Sequence, residues 1–477
     1  MNIKMQQVCP SNVDAVVCFV RAGEQLVFHD ERIQSAYLLA FEGDESVYEN
    51  NTCRLLRMKT VYGFVDVIVA CVEKGFKDII VKISTSIHDL KAKNVYFDHL
   101  PEWLFKGDEE SIYRDLATSL VLSSYEFEEY KAKKTQHFLE EVYIYGCDSK
   151  EIFLQEGANI AKGIMIAKDL VNEPASTLSP MELAKRTVMC GQEYGFEVEV
   201  LDEKDCERYG MGAFLSVSKA SASEPQFIIM RYLGGMDGEI AKGVIGKGIC
   251  YDSGGLALKQ AANMVKQSTD MSGAAAVIGA MSAVAMNKVQ TNIIAVVAAC
   301  ENLIDGKGYR NGDIVTSMSG KTIFIASTDA EGRLSMADAI TYLVREEEVD
   351  SIVELSTLTG SSALFFGNVC APVFTVDDDL YETFMHTMTY SGEKLWRMPT
   401  YEEYRKNIAY ETADLYNSST GGAGGICAGV FLDSFREETP FLHVDIAGVA
   451  TGPIKPGAKA IGGTGFGVKS LYYYLKG

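Results

Sequence analysis

Short apolar runs separated by stretches of helical spacing limit this chain more than any other feature, because that alternation builds α/β architectures. Residues 14–20 (DAVVCFV) and 63–71 (GFVDVIVAC) are Val-rich runs, and 78–83 (DIIVKI) reads as a further short strand. Residues 111–133 carry helical spacing, followed by strand-like VYIYG at 142–146. Residues 149–173 read as one long amphipathic helix. Phe153, Leu154, Ile160, Ile164, Ala167 and Val171 fall on three- and four-residue steps, and Pro174 ends it. Beyond it come a helix over 180–194 and strand-like runs at 197–201, 226–231, 243–251, 292–299, 322–326, 351–355 and 441–446. Helical runs at 272–286, 335–346 and 426–436 lie among them. At 477 residues the chain exceeds one ordinary core. The reading is α/β with two domains. The first, 1–158, would be the smaller α/β domain. The second, 159–477, would be larger and carry a central mixed sheet flanked by helices.

Charge and cysteine usage narrow the function. A net charge of −21 repels nucleic acid phosphates. The 11 Cys are odd in number and form no CxxC pair, which reads as free thiols in a reducing compartment. The N-terminus lacks a basic start followed by a long apolar run, and stretches such as 293–300 are too short to span a bilayer. The expectation is a soluble cytoplasmic protein without a membrane or nucleic acid partner.

The chemistry concentrates in two segments. None of the 6 His sits at HExxH spacing and no Cys cluster can hold zinc, so any metal here rests on oxygen ligands, with room for a Lys. In 243–273 an apolar strand runs into Lys247 and Asp252, Ser253-Gly254-Gly255 permit a sharp turn, and Lys259 and Asp270 follow. In 325–339 (IASTDAEGRLSMADA) Asp329 and Glu331 stand two apart, a spacing that in extended chain points both carboxylates to one face. Arg333 then supplies a fixed cation, and a helix is expected to start near Ser335. Both segments follow apolar strands, and ligands of open α/β sheets bind at the strands' carboxyl ends. Four carboxylates gathered there repel unless cations sit among them, and two metal ions roughly 3.5–4 Å apart answer that need.

These segments resemble the leucyl aminopeptidase family, also called cytosol aminopeptidases. So do DLVNEPASTLSP (169–180), RYGMGAFLSVSKAS (208–221), LSTLTG (355–360), GEKLWRMP (392–399), ADLYN (413–417), HVDIAG (443–448) and GGTGFGV (462–468). The resemblance implies that Asp252, Asp329 and Glu331 hold one divalent metal, and that Lys247, Asp252, Asp270 and Glu331 hold a second. It implies Lys259 and Arg333 as catalytic residues, with Gln267, Thr357, Leu358 and Gly360 at the substrate. Manganese or zinc, with cobalt or magnesium as alternatives, would activate a bridging water. Lys259 would polarise the scissile carbonyl, and Arg333 would hold a bicarbonate that shuttles the proton. Lys247 can ligate only as the neutral amine. Peptides with a free amino terminus would be the substrates, and a homohexamer of two stacked trimers the assembly.

Two positions depart from the family pattern. Ser327 stands where the family usually has Asn, and Gln267 stands where it usually has Met, which puts a simple preference for Leu in question. Another two-metal hydrolase, such as a phosphoesterase, remains an alternative. So does a non-catalytic binding protein on the same fold, since some relatives also bind DNA. Cys250 and His443 read as buried core residues, and GGTGFG (462–467) as a tight turn.

Overall fold

The computed structural model describes residues 1–40, 49–60, 63–72, 76–104, 108–236, 238–453 and 461–477. The chain divides into two compact units, Met1–Lys162 and Gly163–Gly477.

The first unit is built on six strands: β1 (Asn2–Gln6), β2 (Ala15–Val20), β3 (Thr52–Thr60), β4 (Gly63–Cys71), β5 (Asn94–His99) and β6 (Glu141–Tyr145). Their order is β1-β6-β5-β2-β4-β3, parallel except for the antiparallel β3–β4 pair. All six residues of β2 are buried, as a strand covered on both faces requires. Ile79, Ile80, Ile83 and Ile87 pack on one face with Leu116 and Leu120. Ile33 and Tyr37 pack on the other with Val16, Cys18, Val67 and Val69.

The strand expected at 78–83 is instead part of the helix Phe76–Asp89. Its four isoleucines recur at helical steps and form one inward stripe, a pattern that outweighs the β-branched composition of the short window. The helix expected over 111–133 closes at Ser123, where the Ser124 N–H donates to the carbonyls of Val121 and Leu122.

The second unit holds an eight-stranded mixed sheet. Its strands are β7 (Glu197–Leu201), β8 (Gln226–Leu233), β9 (Lys242–Asp252), β10 (Asn292–Asn302), β13 (Ser351–Ser356), β14 (Ala371–Phe374), β15 (Leu395–Arg397) and β17 (Phe441–Asp445). The order is β15-β14-β17-β13-β9-β10-β8-β7, with β17, β13, β9 and β10 mutually parallel at the centre. The run expected at 322–326 does not join this sheet. It forms β12 (Thr322–Phe324) in a separate three-stranded sheet with β11 (Ile314–Thr316) and β16 (Leu415–Tyr416).

Alternation along β9 assigns the covering helices. Ile245 and Ile249 pack with Leu334, Ala337 and Ile340 of the helix Gly332–Arg345. Gly246 points the other way, where a Cβ would stand 2.7 Å from the backbone of Ala274 in the helix Ser272–Met286. The stretch Gln267–Met286 is long and apolar enough to cross a membrane, yet 89% of its apolar window is buried inside the protein. It is a core helix.

Two interactions fix the Gly332–Arg345 helix. Phe227 lies edge-on to Tyr342, ring centroids 5.1 Å apart, and to Phe214 at 6.0 Å. Fully buried Asp338 accepts hydrogen bonds from the backbone N–H groups of Phe214 and Met318, each at 2.8 Å. Phe227→Ala is expected to lower stability by about 3–5 kcal/mol, read as a fall in the chemical denaturation midpoint. Burial pushes the Asp338 carboxyl up to about 7 against its backbone hydrogen bonds. That folded value lies above the unfolded one of about 3.9, so the Asp338 contribution is complete below pH 4 and is lost as pH rises through 7. The advantage of wild type over Asp338→Asn in urea midpoint should therefore shrink between pH 4 and 7.5. A constant or widening gap would contradict this account.

Candidate metal centre

The centre begins at the end of β9. Asp252 is the last residue of the strand, and the chain reverses at once through Gly254 (φ +86°) and Gly255 (φ +60°). Gly254 is doubly constrained: its φ is left-handed, and a Cβ there would stand 2.8 Å from Asp329 Oδ1. The reversal returns Lys259 to the strand end, where its backbone N–H donates to the Ser253 carbonyl at 3.0 Å. The Lys259 ammonium bridges Asp252 Oδ2, at 2.7 Å, and Asp329 Oδ1. Asp252 Oδ1 accepts from the Gly254 N–H and from Asn302 Nδ2, each at 2.8 Å.

The second segment arrives differently from the sequence expectation. Asp329 lies in a turn, and Glu331 already has helical backbone angles (φ −73°, ψ −36°) as the cap of the helix Gly332–Arg345. The chain is not extended here, and the helix starts three residues before Ser335. The two carboxylates still meet: oxygens of Asp252, Asp329 and Glu331 all lie within 4.8 Å of one another. Ser327, at the position where the sequence departs from the family's Asn, supports the turn by accepting the Asp329 N–H at 3.2 Å.

Thr328, Asn302 and Tyr309 fasten the two segments together, and sequence reasoning did not identify them. Thr328 Oγ1 donates to the Gly254 carbonyl at 2.7 Å and accepts the Ala257 N–H at 2.8 Å. The Thr328 carbonyl receives Asn302 Nδ2 at 2.9 Å and the Tyr309 hydroxyl at 2.7 Å.

Lys247 ties in the remaining carboxylate. Its buried Nζ stands 2.7 Å from Asp270 Oδ2, 3.0 Å from Glu331 Oε1 and 3.3 Å from the Thr357 carbonyl. Gly332 makes room for it, since a Cβ there would lie 2.5 Å from Lys247 Cε. Thr357 Oγ1 donates to Asp270 Oδ1 at 2.6 Å.

Four carboxylates thus face two ammonium groups in a largely buried space. Burial, and then the Glu331 charge, push Asp252 up to about 6. Burial likewise raises Asp270 and Asp329. For Glu331 burial is outweighed by Lys247 and Lys259, which hold it below the usual range. Burial works against the Lys247 ammonium, but Asp270, Glu331 and Asp252 overcome it and raise its pKa. Buried Glu331 Oε2 has no hydrogen-bond donor among the described residues. An electron-rich, all-oxygen cluster with an undonated oxygen, plus a lysine amine, fits hard divalent cations.

The other sequence candidates stand next to these residues along the chain. Arg333 is buried in the first turn of its helix, 6.0 Å from the Phe431 ring. Burial lowers its pKa to about 10, and its Nε has no hydrogen-bond partner among the described residues. The Leu358 N–H donates to Asp445 Oδ1 at 3.2 Å, and exposed Gly360 opens the helix Gly360–Phe366. Gln267 lies in the single turn Gln267–Thr269, its amide donating to the Asn263 carbonyl at 3.0 Å. Cys250 is buried and burial pushes its thiol up, which suits an inert core residue.

Comparison with known proteins bears on the family of the chain. The family model described as "Cytosol aminopeptidase family, catalytic domain" matches residues 165–472. A "Probable cytosol aminopeptidase" of Clostridium perfringens is 43% identical over 403 residues, covering 82% of this chain and 80% of the relative. Proteins of the same description from Alkaliphilus oremlandii and Fusobacterium nucleatum are 41% and 42% identical. They cover 74% of this chain each, and 72% and 74% of their own lengths. The chain belongs to the cytosol aminopeptidase family.

Proposed function

We propose that this protein is a leucyl-type metallo-exopeptidase that removes the amino-terminal residue from peptides, using two divalent ions held by Lys247, Asp252, Asp270, Asp329 and Glu331. The observation that carries this reading is the meeting of Asp252, Asp329 and Glu331 oxygens within 4.8 Å, with the Lys259 ammonium on two of those three side chains. Manganese or zinc suits the donor set, with cobalt or magnesium as alternatives. When bound, such ions supply Lewis-acid polarisation and an acidified water.

The protein's own groups do the rest. Burial works against the Lys259 ammonium, but Asp252 and Glu331 outweigh it and keep it charged at neutral pH. It can therefore donate to the oxygen of the scissile carbonyl as negative charge develops there. Arg333, still protonated at neutral pH, offers its undonated Nε to a small anion of the bicarbonate type that accepts and returns the proton. Lys247 ligates only as a neutral amine, so a cation and a proton compete for one lone pair. Thr357, Leu358, Gly360 and Gln267 would receive the substrate's first residue, and a polar Gln267 favours a wider choice there than Leu alone. Family likeness also supports a cytoplasmic homohexamer with the first domain, 1–158, in assembly or regulation. Exposed Leu364 and Phe365 are apolar surface of the kind such an assembly covers.

The test is hydrolysis of a panel of aminoacyl amides by metal-stripped protein, with manganese, zinc, cobalt or magnesium restored. Cleavage should return with metal. Lys259→Ala should cost about 10²–10³-fold in kcat, the scale of one oxyanion donor. Asp329→Ala should weaken metal binding by at least the roughly 10–100-fold seen for lost supporting groups. A folded, metal-loaded protein that cleaves no amide would point to another two-metal hydrolase or to a binding role.

A further inference from the structure

Behind the metal centre, on the sheet face covered by the helices Gly332–Arg345 and Gly424–Asp433, lies a block of four polar side chains. The parallel register of β13 and β17 sets Glu354 beside His443 and Ser356 beside Asp445. Strand alternation puts all four on the face shared by Ile352 and Phe441, which pack with those helices. All four are 0% exposed. His443 Nδ1 meets Glu354 Oε2, and the imidazole stacks on Phe374 at 5.3 Å. Glu354 Oε1, Ser356 Oγ and His443 Nε2 have no hydrogen-bond partner among the described residues. A core kept this polar is held against the preference for an apolar one, which directs attention to what the block supports.

Its outermost member, Asp445, supports the loop after β13. Oδ1 accepts the backbone N–H of Leu358 at 3.2 Å and of Ala447 at 3.1 Å. Oδ2 accepts the Thr359 hydroxyl at 2.6 Å. The preceding residue, Thr357, reaches the opposite way: its hydroxyl holds Asp270 Oδ1 at 2.6 Å and its carbonyl receives Lys247 Nζ at 3.3 Å. One carboxylate therefore fixes the shape of a short loop whose other side touches two of the five groups assigned to the metals.

We propose that Asp445 is a positioning residue of the active site: it fixes the Thr357–Gly360 loop from behind, so that Thr357 sets the orientation of Asp270 and Lys247. The His443–Glu354 pair backs it from the neighbouring register position. This rests on the aminopeptidase reading for its substrate readout, and on the assignment of Asp270 and Lys247 for its metal readout. The role is one of geometry, so an uncharged side chain of the same shape should largely fill it. Asparagine keeps an acceptor for the Leu358 and Ala447 N–H groups, and the Thr359 hydroxyl can turn to accept from its amide.

The experiment compares wild type, Asp445→Ala and Asp445→Asn. Manganese affinity of the metal-stripped protein is measured by chelator competition, KM and kcat on leucine amide, and the thermal midpoint alongside. Asp445→Ala should weaken manganese binding and raise KM by about tenfold each, the lower end of what supporting groups contribute, while Asp445→Asn stays within about threefold of wild type. Values for Asp445→Ala equal to wild type would overturn the proposal. So would an Asn variant that falls as far as Ala, because charge and not position would then be at work. If Asp445→Ala does not fold, Thr359→Val removes only the hydroxyl contact. A rise of about threefold in both constants at an unchanged thermal midpoint supports the role, and no rise overturns it. Should wild type bind manganese but cleave no amide, the functional reading fails while the manganese series still judges the positioning role.

Discussion

The mutual repulsion of Asp252, Asp270, Asp329 and Glu331 is the constraint around which the second unit is organised. Like charges in a poorly solvated space raise one another's energy steeply. Lys247 and Lys259 offset part of that, each lying between two carboxylates. The balance remains negative: burial first, and then the Glu331 charge, still raise Asp252 to about 6. Holding such a cluster together calls for a scaffold that cannot relax. The central parallel strands, the hydrogen bonds of Thr328 and Asn302, and the buried Asp338 that pins the Gly332–Arg345 helix together provide one.

Backbone space is as constrained as charge. Gly332 lets the Lys247 side chain lie directly against the start of a helix, so the amine can reach Glu331 and Asp270 at once. Gly254 lets the loop after β9 approach Asp329. In both places the missing side chain is what permits a charged group to sit where it does, so the glycines belong to the electrostatics of the site as much as to its turns.

Much of this was legible in the sequence because residue type and spacing are local. The carboxylates, both lysines and Arg333 stand in two short segments, and the mixed sheet followed from apolar runs broken by helical periods. What escaped was long-range. Asn302, Tyr309, Thr328 and Asp445 act through hydrogen bonds to residues 19 to 87 positions away, which no window along the chain displays. The Asp329–Glu331 spacing predicted a shared face for the wrong reason: a turn into a helix brings them together, not an extended strand. At 78–83 isoleucine and valine composition concealed a helix whose stripe extends past the window to Ile87. The run at 322–326 does form a strand, but periodicity cannot say to which sheet a strand belongs.

The core helix Ser272–Met286 has a consequence for how the chain must be made. It is apolar on every side and finds its cover against β9, β10, β13 and its helical neighbours. During synthesis β9 has already emerged when Met286 appears, but β13 has not. At roughly 5–20 residues per second the ribosome leaves this segment half-covered for several seconds. For that interval its surface has the character of a membrane span or of an aggregation seed. A buried helix that backs the carboxylate cluster is therefore also a part of the nascent chain that needs prompt collapse or a chaperone's shelter.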